Sequence, residues 1–276
     1  MRTSSGSCKT ASRLFDSVHQ HFNRLAIATL TAASALALAW PLSAGQTGDS
    51  SEDSSALARA ASAYVVTNSN NFGTIDLKTG TYTQIGQMAG LSGVLGGLGK
   101  VRGKLYGGAI GTGNLYEIDA SNGTATLVGS GNISYFVTGS TKKALYAVGQ
   151  DLNLYSIGTK SGVATLIGPT GFRPAEVGGG ALSSGAETLY MSAGNNYGAK
   201  LYSLDTATGA AKTIGVIGHN TGNPPMVFEN DTLYAAVNFP SQKICTLNRT
   251  TGVPTCLASA SGVPGYFYGL ARAPSK

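Results

Sequence analysis

Three kinds of residue beyond position 44 could do chemistry. The first is a single histidine, His219, in the glycine- and asparagine-rich segment Gly218–Pro225. Acid–base work around it would need a carboxylate or a polarising cation from another loop. Glu176, Asp151 and Arg173 are the candidates, and together they would suit a hydrolase, lyase or lactonase. The sequence holds no G-x-S-x-G elbow to supply a serine nucleophile. The second kind is metal-ligating. One histidine, two cysteines and scattered acids do not make the converging set that a transition metal requires, so no metal site and no cofactor is expected. Calcium held by backbone carbonyls is compatible with the sequence. The third kind is more abundant: aromatic rings beside amides in segments rich in glycine and asparagine. Phe172 and Arg173 share one such segment, Asn195, Asn196 and Tyr197 a second, and His219 and Asn220 a third. Phe239 follows Asn238, and Tyr266 and Tyr268 lie near the end of the chain. A flat apolar ring with neighbouring amides can orient a polar ligand, so this set is expected to bind a glycan or a peptide.

Something must hold these segments together, and self-comparison of the chain shows what it is. Five stretches share one pattern: AYVVTNSNNFGTIDLKTGTYTQIG from Ala63, LYGGAIGTGNLYEIDASNGTATLVG from Leu105, and LYAVGQDLNLYSIGTKSGVATLIG from Leu145. LYMSAGNNYGAKLYSLDTATGAAKTIG from Leu189 and LYAAVNFPSQKICTLNRTTGVPTCLA from Leu233 complete the set. Their marker tyrosines, Tyr64, Tyr106, Tyr146, Tyr190 and Tyr234, recur every 40 to 44 residues. Neighbouring Leu and Tyr on a strand face opposite sides, so each sheet is expected to be buried on both faces. A further strand precedes each of the last four copies: GGLGKV, SYFVTGS, EVGGGALSS and PPMVFEN. None precedes the first, and YFYGLARA (266–273) is expected to supply it from the far end of the chain. The fold predicted over 62–276 is all-β: a five-bladed β-propeller of four-stranded antiparallel blades, its ring closed by the C-terminal strand. Alternating strand direction puts the variable loops on one face and the Asp-x-x-x-Gly turns on the other.

Those turns, Asp76–Gly80, Asp119–Gly123, Asp205–Gly209 and the variant Asn248–Gly252, are read as structural. Asp or Asn can bond the turn backbone, and glycine accepts a positive φ; Gly158 replaces the acid in the third copy. If Asn248 faces Val253 across the last turn, Cys245 faces Cys256, within reach of a disulfide.

The first 24 residues carry Arg2, Lys9, Arg13 and Arg24 against Asp16, and the uncharged stretch Leu25–Ala39 follows. Residues 1–44 are therefore expected to be a secretory signal, with cleavage near Ala44. Residues 45–61 read as a flexible linker. The protein is thus expected outside the cytoplasm, periplasmic or extracellular, without stable membrane insertion after cleavage. Without the leader's charges, 15 bases face 12 acids, mostly singly placed. That distribution argues against a nucleic-acid partner.

The unit LYxIDxxTGxATxIG, with Tyr64-Val-Val-Thr-Asn at its start, resembles the repeats of secreted bacterial β-propellers of the YVTN or quinoprotein-like kind over 62–276. The resemblance implies fold and export and carries no specific activity. Two five-bladed enzyme groups fit poorly. Arabinanase-like glycosidases spread carboxylates over the innermost strands, where this chain has only Glu176 and Glu229. Secreted glutaminyl cyclases carry Gln-Gly-Leu and Gly-Glu-Gly-Leu strands, which are absent here. The leading expectation is a monomeric binding module for a glycan or peptide. The alternatives are a propeller enzyme using His219, and a scaffold for an envelope protein.

Overall fold

The computed structural model describes residues 61–174, 177–195, 198–218 and 221–274. The leader and all but the last residue of the expected linker lie outside them. Every named element among the described residues is a β-strand, and they fall into five four-stranded units. Unit I comprises β1 (Ser62–Thr67), β2 (Asn71–Asp76), β3 (Tyr82–Gln87) and, from the far end of the chain, β20 (Phe267–Arg272). Unit II is β4 (Gly99–Val101), β5 (Lys104–Gly108), β6 (Asn114–Ile118) and β7 (Ala125–Ser130). Unit III is β8 (Tyr135–Thr141), β9 (Leu145–Gly149), β10 (Asn153–Ile157) and β11 (Ala164–Pro169). Unit IV is β12 (Gly179–Ala186), β13 (Leu189–Asn195), β14 (Gly198–Leu204) and β15 (Ala211–Gly218). Unit V is β16 (Met226–Glu229), β17 (Thr232–Val237), β18 (Lys243–Leu247) and β19 (Pro254–Ser259). No helix among the described residues is long and apolar enough to cross a membrane.

Within each unit the pairing is antiparallel, and β20 pairs with β1 through Ala63↔Arg272 to Thr67↔Phe267. The strand expected at 266–273 therefore does complete the first sheet. The innermost strands β8, β12 and β16 also pair in parallel, which joins units III, IV and V into one sheet, while units I and II stand as separate sheets. No sheet closes on itself through hydrogen bonds among the described residues.

Burial follows the repeat. Leu105, Leu145, Leu189 and Leu233 are sealed on one side of their strands, and Tyr64, Tyr106 and Tyr190 are buried on the other. Tyr64 packs with Phe72 and Leu98, and Tyr106 with Tyr135 and Tyr155, so adjacent units share their cores. Glycine lets the innermost strands approach: a Cβ on Gly97 would overlap the Thr138 carbonyl, and one on Gly269 would lie 2.7 Å from the Leu98 nitrogen.

The turns behave as their composition predicts. Asp76 Oδ1 accepts from the backbone N–H of Lys78 and of Thr79, each at 2.8 Å, and Gly80 takes φ 72°. Asn248 does the same for Thr250 and Thr251, with Gly252 at φ 76°. Such bonds hold Asp119 and Asp205 below the usual carboxylate range, first through Ser121 and Ala207 respectively. The turns also meet the neighbouring units. Each lies against the end of the preceding unit's outermost strand: Ser161 on Gly129, Thr208 on Gly168, Thr251 on Gly215, and Asn122 on Gly86. The turn of unit I meets unit V in the same way, Gly80 against Ser259. Strand twist is the physical reason. At roughly 20–25° per neighbour, three steps swing the outermost strand by roughly 60–75° from the innermost.

A lateral hydrogen bond accompanies this seam. The residue two positions after the turn glycine donates to the preceding unit: Ala125 to Ala89 O at 2.8 Å, Ala164 to Asn132 Oδ1 at 3.1 Å, and Ala211 to Thr170 O at 3.0 Å. Tyr82 N donates to Ser261 O at 3.2 Å between units I and V. Unit V has Pro254 in that position, which has no N–H to give. In unit V, Cys245 and Cys256 stand opposite one another on β18 and β19, as the hairpin register requires, and are joined as a disulfide.

Candidate ligand-binding site

A cavity of about 330 Å³ lies where the innermost strands begin. All five units contribute to its wall: Phe267 and Tyr268 from the start of β20, Gly96 before β4, Phe136 and Val137 on β8, Gly179 and Gly180 on β12, and Asn223 before β16. Ile110, Gly222, Asn238, Phe239 and Tyr266 complete it. Each unit presents the same structural position here, so one space collects side chains far apart in sequence.

Three rings stand at the mouth. Phe239, Tyr266 and Tyr268 are 40%, 41% and 37% exposed, well above what such large side chains show in the core. Phe239 and Tyr266 face each other with centroids 4.9 Å apart and planes tilted by 42°. Their backbone is held from below by Asn238. That amide is buried, accepts from Phe267 N at 2.8 Å and donates to Phe267 O at 3.1 Å, tying β20 to the end of β17. Asn68 performs a related task, accepting from Tyr266 N at 2.8 Å. The rings are therefore exposed on a fixed backbone.

Beneath the mouth the innermost strands carry hydroxyls that serve the backbone. Buried Thr138 accepts from Gly108 N and donates to Gly97 O, each at 3.2 Å. Deeper still, Ser140 and Ser184 are buried, with hydroxyls 3.1 Å apart, and both lie within reach of Lys100 N. At the far end of these strands, buried Glu229 pairs with Arg272 at 2.5 Å, and Lys100 Nζ donates to Arg272 O at 3.1 Å. Burial and then the Arg272 charge lower the Lys100 pKa, against the pull of Glu229. Glu229 is thus a structural ion-pair partner, removed from the cavity.

The residues proposed from sequence divide into groups. Phe239, Tyr266 and Tyr268 meet at the cavity. Phe172 and Asn195 line a different depression, with Lys200, Tyr202 and Thr213, where Phe172 packs edge-on to Tyr202 at 4.9 Å. Arg173 is exposed and lines neither space. Asp151 is exposed, and its carboxylate is engaged locally, accepting from Tyr155 Oη at 2.6 Å and Asn153 Nδ2 at 2.7 Å. Burial works to raise its pKa, but these bonds prevail and leave it lowered. Glu176, Asn196, Tyr197, His219 and Asn220 lie outside the described residues. Among the described residues no group of three or more His, Cys, Asp or Glu side chains could hold a metal ion.

Sequence reasoning missed Phe136, Ile110 and the paired glycines Gly179-Gly180 as lining residues. The glycine run 178–180 was a usable signal, because backbone without side chains lets neighbouring groups approach the wall closely.

No protein-family model matches the chain, and no curated protein matches it. A solved structure of a structural-genomics protein of unknown function from Bacteroides thetaiotaomicron VPI-5482 is similar over 77% of this chain, with a TM-score of 0.52 and 14% identity. The match spans 66% of that protein, just under two thirds of its length. A computationally designed protein, Ika8, aligns over 73% of this chain and 59% of its own, at 14% identity and a TM-score of 0.38, too low to bear on the fold. The likeness to the Bacteroides protein concerns the all-β fold and nothing beyond it.

Proposed function

We propose that the chain is an exported five-bladed β-propeller that acts as a binding module, taking a polar ligand, glycan or peptide, in the cavity where its innermost strands begin. The observation that carries this reading is the cavity itself: five equivalent strand starts converge on one space rimmed by Phe239, Tyr266 and Tyr268. Exposed rings on a fixed backbone lose little conformational freedom when they bind, which is what a recognition surface needs. The five-bladed arrangement is supported by the seam contacts between successive units and by Gly80 against Ser259 between the first and last. Export is supported by the basic and apolar leader and by the Cys245–Cys256 disulfide, which persists in oxidising compartments. Kinship with YVTN or quinoprotein-like repeats rests on the blade pattern.

A thermal-shift screen of the purified protein against glycans, blocked peptides, lactones and calcium tests the reading. Ligands that bind only the folded state raise Tm by mass action. The expected result is a glycan or peptide that raises Tm and is recovered unchanged. Recovery of an altered compound would replace binding with catalysis, and a partner protein would take precedence if no small ligand shifts Tm. Mass analysis of chain recovered outside the cytoplasm checks export, with loss of residues 1–44 the expected outcome.

A further inference from the structure

Resting on the reading of the cavity as a binding site, we infer that its ligand is an uncharged sugar ring, stacked on the Phe239–Tyr266 pair and read by the Asn223 amide.

Three observations narrow the choice from polar ligands in general. The first is charge. Among the described lining residues none is Lys, Arg, Asp or Glu. A carboxylate, a phosphate or a peptide terminus buried there would lose its water with no counter-charge to replace it. The second is size. At about 330 Å³ the cavity sits at the lower end of the roughly 300–1,000 Å³ typical of ligand pockets. It suits one ring and its substituents better than an extended peptide.

The third is the pairing of surfaces. Phe239 and Tyr266 form a shallow wedge, 4.9 Å between centroids and tilted by 42°. A pyranose offers such a wedge one apolar C–H face, whose slightly positive hydrogens suit the negative face of an aromatic ring. Its edge carries hydroxyls, each both donor and acceptor. Asn223 stands ready for these. Its Oδ1 is buried without a hydrogen-bond partner, and its Nδ2 occupies the space into which a Gly179 side chain would project. An amide engaged by no neighbour among the described residues can turn either edge to a ligand hydroxyl, and its unmet acceptor favours a ligand that brings a donor. Asn238, the other amide in the wall, is already committed to Phe267.

The experiment uses the purified full chain with named probes. Methyl glycosides of glucose, galactose, mannose and N-acetylglucosamine, with lactose and cellobiose, are titrated by ligand-observed NMR. Acetylated, amidated tetrapeptides of Asn, Gly and Ser serve as the neutral peptide comparison. At least one sugar is expected to bind with a Kd on the order of 1 mM. Phe239→Ala and Asn223→Leu should each weaken it about tenfold, while Phe239→Trp should retain it. Melting curves accompany each variant; if Phe239→Ala does not fold, Asn223→Leu and Phe239→Trp decide. Sugar binding indifferent to these changes overturns the assignment of residues. Peptide binding that depends on Phe239, with no sugar bound, overturns the sugar class and leaves the binding module standing. No binding by either probe class overturns both.

Discussion

At the seam between units II and III, Gly129 lies under the Ser161 carbonyl, and Tyr135 is sealed from solvent with its hydroxyl 3.2 Å from Gly162 O. At the mouth of the cavity, Gly179 and Gly180 form part of the wall, Tyr266 and Tyr268 stand exposed, and Asn223 keeps an acceptor unmet among the described residues. Glycine and tyrosine occur in both places. In the seam, glycine is needed because another backbone fills the volume a side chain would take. At the mouth that volume is met by the ends of side chains, Asn223 Nδ2 at Gly179 and the Met191 methyl at Gly180. The proposed binding module thus contrasts with the seam: backbone presses on glycine between the units, whereas movable side chains border it at the cavity.

Tyr135→Ala is the most severe way to break this contrast. Removing a fully buried ring from the seam should cost about 3–5 kcal/mol, read as the drop in denaturant midpoint at constant slope. A loss below about 1 kcal/mol would mean that the seam carries little of the stability. A glycine pair sharpens the comparison. Gly129→Ala should cost about 1–3 kcal/mol, because its Cβ would overlap the backbone of Ser161. Gly180→Ala meets chiefly the Met191 methyl, at 2.6 Å, which can move aside. Its stability loss should stay below about 1 kcal/mol while binding in the cavity falls. Equal losses at the two sites would erase the distinction.

The smallest effects come from two buried tyrosines at different seams. Burial pushes both Tyr82 and Tyr135 up to about 12. Both hydroxyls keep their protons in the fold where an unfolded tyrosine, ionising near 10, has lost its own. Their contribution is therefore whole below pH 10 and falls as pH rises toward 12, by up to about 1.4 kcal/mol per pH unit for each. The Tyr82 hydroxyl is buried without a partner, whereas that of Tyr135 donates to Gly162. Tyr82→Phe should leave stability at pH 7 unchanged or raise it by roughly 0.5–1 kcal/mol, and should flatten the alkaline decline. Tyr135→Phe should lose about 1 kcal/mol at pH 7. A Tyr82→Phe variant that melts lower would show that the hydroxyl has a use.

Most of the fold was legible because it repeats. Five copies of one strand pattern averaged out local ambiguity, and the missing strand before Ala63 pointed to 266–273. The cysteine pairing followed from counting across the turn at Asn248. The contact of each turn with the neighbouring unit's outermost strand did not follow, because strand alternation says nothing of twist. The site was legible in part. Phe239, Tyr266 and Tyr268 stood out as aromatic residues in loop segments. Gly97 and Gly180 look alike in sequence, although one is pressed against a carbonyl and the other borders a cavity. Asp151 read as a spare acid, whereas Tyr155 and Asn153 already occupy it.

The pairing of β20 with β1 also sets an order in time. On a chain made from its N-terminus, β1 appears about 200 residues before the strand that covers its open edge. The loop so closed is long, yet closure entropy grows only with the logarithm of length, so delay rather than thermodynamics is the burden. Until β20 arrives, unit I is a three-stranded sheet with an exposed edge formed by Tyr64, Val65 and Val66, a short β-prone run open to association with other chains. Unit I is therefore completed only once β20 has been made, and slow synthesis of that segment prolongs the interval in which its edge is open to aggregation.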